Sequence, residues 1–176
     1  MKQTLVALVE DKPGVLNRVA SMFRRRNFNI ESLTVGHSET PGVSRMTIVT
    51  DEEERLRRNV VRANLLKLIN VIEVQDVTDQ PCVVRETALI KVKADAIQRG
   101  QVMDVAEMYR ARIVDVATET LIVEVTGESD KIDSLIQVLE PFGTLEIMRS
   151  GKIAMTRGVV KPRVDATMAV KSNGKH

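Results

Sequence analysis

Aromatic side chains are nearly absent from this chain. Phe23, Phe28, Tyr109 and Phe142 are the whole set in 176 residues, and there is no tryptophan. A surface that stacks nucleobases on rings has almost nothing to build from. Cysteine is also scarce: Cys82 is the single one, which excludes an internal disulfide and any cysteine-based metal site. It follows Pro81 and is expected to be an inert linker thiol. There are two histidines. His37 lies by a turn and His176 is the final residue, so neither is expected to move a proton inside a fold.

No long apolar run occurs, and mean hydropathy is −0.09, which excludes a helical membrane span. The N-terminus opens on strand-like sequence, with neither a signal-peptide nor a transit-peptide pattern, and a cytoplasmic location is expected. The net charge of +2 is unevenly spread. From residue 161 onward, Lys161, Arg163, Lys171 and Lys175 stand against Asp165, giving +3 and leaving −1 for the rest. A near-neutral body lacks the footprint of a nucleic-acid binder.

What is present is hydrophobic patterning. Alternation and helical spacing predict a strand at 4–9, a helix at 13–26, strands at 28–35 and 43–50, a helix at 53–68 and a strand at 71–77. The first helix places Val15, Leu16, Val19, Met22 and Phe23 on one face. Arg24, Arg25 and Arg26 close it, where cations suit the helix C-terminal dipole. Glu39-Thr40-Pro41-Gly42 is a turn signal that makes the flanking strands a hairpin. Within 28–35, Phe28 and Ile30 keep one phase and Leu33 and Val35 the other, so a β-bulge is expected near Glu31-Ser32.

After Asp79-Gln80-Pro81 the pattern restarts. A strand at 87–94 precedes a helix carrying Val102, Val105, Ala106 and Tyr109. Strands at 113–116 and 121–126 follow, then a helix carrying Ile132, Leu135, Ile136 and Leu139, broken by Pro141-Phe142-Gly143. A strand at 144–149 completes the unit. Both halves read βαββαβ, so the fold class is α+β, with two ferredoxin-like domains. The predicted boundaries are 1–79 for the first domain, 80–86 for a linker, 87–158 for the second domain and 159–176 for a basic, disordered tail. Strands rich in Val, Ile and Leu would leave an apolar sheet face in a monomer, so side-by-side association is expected.

The same layout serves RNA-recognition modules, but no central strand carries an aromatic pair. No phosphate loop, nucleophile elbow or metal-ligand spacing occurs. Asp51-Glu52-Glu53-Glu54 reads as a helix N-terminal acidic run, and Glu54 with Arg58 as a solvated i, i+4 pair. Catalytic residues: none predicted; metal ligands: none predicted. The informative stretch is Glu10-Asp11-Lys12-Pro13-Gly14, a strand-to-helix turn. Such a turn exposes backbone N–H groups and the positive end of a helix dipole, which suits a small carboxylate such as that of a free amino acid.

The segment VEDKPGVLNRVASMFRRRNFNIESLTVGHSETPGVSRMTIV resembles the ACT domain of the regulatory (small) subunits of acetolactate synthase, with FNIESLTV and SRMTIV its most specific parts. VVRETALIKVKA, IVDV and RSGKIAMTRG are similar to the C-terminal domain of that family, so the resemblance spans about 1–158. It implies a non-catalytic partner of a larger catalytic subunit that uses thiamine diphosphate, Mg²⁺ and FAD to make acetolactate or acetohydroxybutyrate. This chain would need no cofactor. It would activate that subunit and confer feedback inhibition by a branched-chain amino acid, usually valine, bound where two ACT domains pair as a homodimer. By matching motif, Asp11, Lys12, Pro13, Gly14, Val15 and Leu16 would hold the effector carboxylate through backbone N–H groups. Asn29 and Ile30 would come from the facing subunit. Position 11 is often Asn in the family. Asp11 can instead cap the helix or meet the effector ammonium, and it would lie near the effector carboxylate. A free-standing ACT-type sensor of another partner is the alternative reading, and it leaves the C-terminal half unexplained.

Overall fold

The computed structural model describes residues 2–52 and 54–158. The predicted basic tail at 159–176 and Glu53 lie outside the described residues. Two compact units result: residues up to Val83 together with the segment from Ala154, and Val84–Ile153.

The first unit runs β1 (Gln3–Glu10), α1 (Val15–Arg25), β2 (Ile30–His37), β3 (Val43–Thr50), α2 (Arg55–Leu66) and β4 (Val71–Asp76). Its sheet has the order β2-β3-β1-β4, antiparallel throughout, as a split βαβ arrangement requires. Strand alternation sends Leu5, Ala7 and Val9 of β1 and Met46 and Ile48 of β3 to one face. There they meet Val15, Val19, Met22 and Phe23 of α1 and Val61 and Leu65 of α2. Each fully buried Val, Leu, Ile, Met or Phe among them contributes roughly 1.5–3 kcal/mol. Phe23 and Phe28 pack edge to face, with ring centroids 6.5 Å apart.

The register of β2 against β3 slips between Ile30 and Ser32, so the bulge falls at Glu31, where the phase change places it. The hairpin closes with Gly42 at φ +76° and the Ser38 N–H on the Val43 carbonyl at 2.9 Å.

The second unit contains β5 (Cys82–Lys93), α3 (Gln98–Met108), β6 (Arg112–Val116), β7 (Thr120–Gly127), α4 (Ser129–Gly143) and β8 (Thr144–Arg149). Its sheet order, β6-β7-β5-β8, repeats that of the first, and a short β9 (Ile153–Thr156) also pairs with β5. Ala88, Ile90 and Val92 pack with Leu121, Val123 and Val125 under Val102, Ala106, Ile132, Leu135 and Leu139.

Several expectations are corrected. β5 begins at Cys82, not at 87, so Cys82 is a half-buried strand residue. Its register is prolonged by distant contacts: the Arg157 N–H bonds the Pro81 carbonyl at 2.8 Å. α4 passes through Pro141 and ends two residues later, at Gly143, so the proline disturbs only the last turn. β2 starts at Ile30, two residues later than expected. α2 starts at Arg55, so the acidic run precedes the helix. Arg58 pairs with Asp79 at 3.4 Å and not with Glu54. In the first sheet the face away from the helices is not bare, since Val6 is 4% and Val49 1% exposed. Arg45, on the same face, donates to the Ala154 carbonyl at 2.8 Å. In the second sheet the corresponding face does expose apolar groups, Leu89 beside Met148.

Among the described residues no helix is long and apolar enough to cross a membrane, and no group of three or more acidic, His or Cys side chains is placed to hold a metal ion.

Candidate functional site

β1 ends at Glu10 and the chain turns upward into α1. The Asp11 N–H bonds the Gly42 carbonyl at 2.8 Å, tying the turn to the β2–β3 hairpin. The Lys12 N–H bonds the Glu10 carbonyl at 3.0 Å and the Val15 N–H the Lys12 carbonyl at 3.3 Å. Gly14 follows at φ +84°, a left-handed conformation that glycine adopts without cost. It is the N-cap of α1, and no side chain caps that end. The N–H groups of Leu16 and Asn17 therefore have no acceptor among the described residues. A Cβ built on Gly14 would meet nothing within 4 Å, so the approach to these groups is open. With the Gly14 N–H, which likewise has no acceptor among the described residues, the turn presents three donors and a dipole end to solvent, a site for one small anion.

Asp11 does not cap the helix. Its Oδ2 lies 3.3 Å from His37 Nδ1 at the end of β2. Lys12 Nζ lies 3.2 Å from Glu10 Oε2. Glu10 is held below the usual carboxylate range, first by a hydrogen bond from Asn70, then by one from Lys12, with Lys12 and Arg18 adding charge and burial opposing. Val15 is 4% exposed and turned to the core, so it offers a ligand its backbone only, while Leu16 is half exposed.

Of the eight predicted site residues, Asp11–Leu16 form this turn. Asn29 and Ile30 do not join it. Ile30 pairs with Thr50, which in turn pairs with Gln3, whereas Glu10 pairs with Val43 and His37 with Ser44. Gln3 and Glu10 are opposite ends of β1, about 23 Å apart at ~3.3 Å per residue. Asn29 is exposed, just before β2, and Ile30 packs partly on its own core. Within one chain the two parts of the predicted site sit at opposite ends of the sheet.

Sequence reasoning missed Arg18 and Asn70, which flank the turn in space. Asn70 lies in the short connection before β4, and no local pattern marks it.

Comparisons with known proteins agree over both units. The family model described as "AHAS small subunit-like ACT domain" matches residues 5–73, and that described as "Small subunit of acetolactate synthase" matches residues 85–158. The chain is 50% identical over 155 residues to the acetolactate synthase small subunit of Mycolicibacterium smegmatis, covering 88% of this chain and 91% of that protein. It is 48% identical over 158 residues to a probable acetolactate synthase small subunit of Archaeoglobus fulgidus, covering 90% and 98%. Among solved structures, the acetolactate synthase small subunit of Thermotoga maritima superposes with a TM-score of 0.82 at 37% identity, covering 91% of this chain and 99% of that one.

Proposed function

Because the chain belongs to the acetolactate synthase small-subunit family, we propose that it activates the catalytic subunit of acetolactate synthase and makes it subject to feedback inhibition by valine. The observation that carries the effector reading is the uncapped α1 N-terminus: left-handed Gly14, open space beside it, and the unpaired N–H groups of Leu16 and Asn17. An α-carboxylate accepts from these N–H groups and is favoured by the helix dipole.

The separation of Asn29 from the turn supports a homodimer. β2 is an edge strand of the first sheet. Antiparallel pairing of two β2 edges about a two-fold axis brings Asn29 of the partner subunit to the end of the sheet that holds the Asp11–Leu16 turn. Ile30 already packs on its own core, so Asn29 is the residue that supplies a contact across the interface. The effector then lies between two ACT domains, residues 1–79 of each chain, with 87–158 as the second domain.

The catalytic partner carries thiamine diphosphate, Mg²⁺ and FAD, and this chain contributes no cofactor ligand. A free-standing sensor is the weaker reading, since it leaves the family match at 85–158 without a role. The decisive experiment is calorimetry of the full chain with valine, leucine and isoleucine, alongside activity of the reconstituted holoenzyme. Saturable binding of one of them, with matching inhibition, is the expected result. Absence of activation of the partner overturns the proposal.

A further inference from the structure

Asn70 stands where the β1–β4 ladder ends, one residue before Val71, the partner of Val9. It makes three contacts. Its carbonyl accepts the Glu10 N–H at 2.9 Å, its Nδ2 donates to Glu10 Oε2, and its Oδ1 accepts from Arg18 Nη1. Glu10 is the last residue of β1 and Arg18 lies one turn into α1. One carboxamide therefore spans both flanks of the 11–14 turn while bonding none of its residues.

The turn's other restraints do not do this. The Lys12 and Val15 N–H bonds are local, and the Asp11 N–H bond to Gly42 fixes the β1 side alone. Val9 packs with Val15 and Val19 in the core, and among the described residues Asn70 is the side chain that hydrogen-bonds both the end of β1 and the first turn of α1. We propose that Asn70 is a positioning residue for effector binding, aiming the free N–H groups of Leu16 and Asn17 at the effector carboxylate. The proposal rests on the effector reading above.

The chemistry requires a carboxamide. It must donate to a carboxylate on one side and accept from a guanidinium on the other, and the Asn amide carries both functions on neighbouring atoms of one planar group. Asp keeps the acceptor for Arg18 but sets a second carboxylate against Glu10. Gln in place of Glu10 then repairs the contact, because its amide can donate to the introduced carboxylate.

The test uses the full chain reconstituted with its catalytic subunit, with valine, leucine and isoleucine as probes. Asn70→Asp is expected to raise the half-inhibitory concentration about tenfold, the scale of one charge-assisted hydrogen bond, with uninhibited activity within about twofold of the unmodified chain. Asn70→Asp combined with Glu10→Gln is expected to recover most of that loss. A purely stabilising clamp would lower the melting temperature of the variants without this loss and rescue. Should Asn70→Asp fail to fold, Asn70→Ser keeps the backbone bond to Glu10 and is expected to weaken inhibition similarly. Unchanged inhibition in the variant that folds, or loss that Glu10→Gln does not repair, overturns the role of Asn70 alone. An unmodified chain that responds to none of the three amino acids overturns the effector reading with it.

Discussion

Arg149 grips Glu86 with two prongs, Nε to Oε1 at 2.7 Å and Nη2 to Oε2 at 2.8 Å. The third nitrogen, Nη1, reaches Asp133 Oδ1 at 2.6 Å, and Ser129 donates to Glu86 at 3.2 Å. The group joins β5, β8 and α4. Glu86 is only 6% exposed, so removing its partner strands a buried carboxylate. Arg149→Ala is expected to destabilise the second unit by about 2–3 kcal/mol, the low end for such a loss because Arg149 is itself a third exposed. Arg149→Lys keeps the charge but not the fork and should cost less. Urea denaturation measures both.

Acid sensitivity follows from the same contact. The hydrogen bond from Arg149, then its charge, holds Glu86 below its ordinary value of 4.5, against the opposing effect of burial. A carboxyl lowered on folding contributes stability that is complete above its unfolded value and is lost as pH falls through the folded one. Glu10 has the same sign in the first unit. The urea midpoint should hold steady from pH 7 to about 5 and drop below about 4.5. In Glu86→Gln the drop should be shallower. An unchanged acid limb would show that other carboxylates govern it.

Gly14 separates the effects of strain and charge. A Cβ there meets nothing, so Gly14→Ala should cost only the left-handed backbone penalty, about 1–2 kcal/mol. Gly14→Asp adds a carboxylate beside the free N–H groups, competing for them with the effector. Feedback inhibition should disappear while activation of the catalytic subunit persists. Loss of both together would make the residue structural.

The helices were legible in the sequence because one face of each is buried, and β1 and β3, buried on both faces, because they are apolar runs bounded by turns. The phase change across Glu31 located the bulge. Illegible features depend on partners far along the chain. β5 begins at Cys82, inside what reads as a linker, and the Arg157 N–H reaches Pro81 beside it. The turn at 11–16 was visible from its Pro-Gly pair. Asn70 was not, since only the fold brings it to Glu10 and Arg18.

Asp11 should weaken effector binding. Its carboxylate adjoins the turn, and its neighbour His37 is 88% exposed and a weak compensator. Asp11→Asn removes a like charge near the effector carboxylate, worth about 1 kcal/mol or less in solvent, so affinity should rise a few-fold. Raising salt should shrink the difference between the two forms. An equal salt response in both would show that Asp11 does not face the ligand.

The two-chain site makes a prediction that no single-chain site shares. In the proposed homodimer each site would take its turn from one protomer and Asn29 from the other. Asn29→Ala alone should weaken binding modestly, by ~0.5–1.5 kcal/mol, for one neutral hydrogen bond. Asn29→Asp should weaken it strongly, because the new carboxylate opposes that of the effector. Chains carrying Gly14→Asp and chains carrying Asn29→Asp are therefore each expected to form dimers that bind poorly. In a mixed dimer, one site combines the defective turn with the defective residue 29. The other combines the intact turn of the Asn29→Asp chain with the intact Asn29 of the Gly14→Asp chain. Random reassociation of an equal mixture makes half the dimers mixed, so about one quarter of the unmodified number of sites should return. Calorimetry before and after unfolding and joint refolding measures that recovery. No recovery, with mixed dimers demonstrated by mass spectrometry, would place Asn29 and the turn in sites that do not meet.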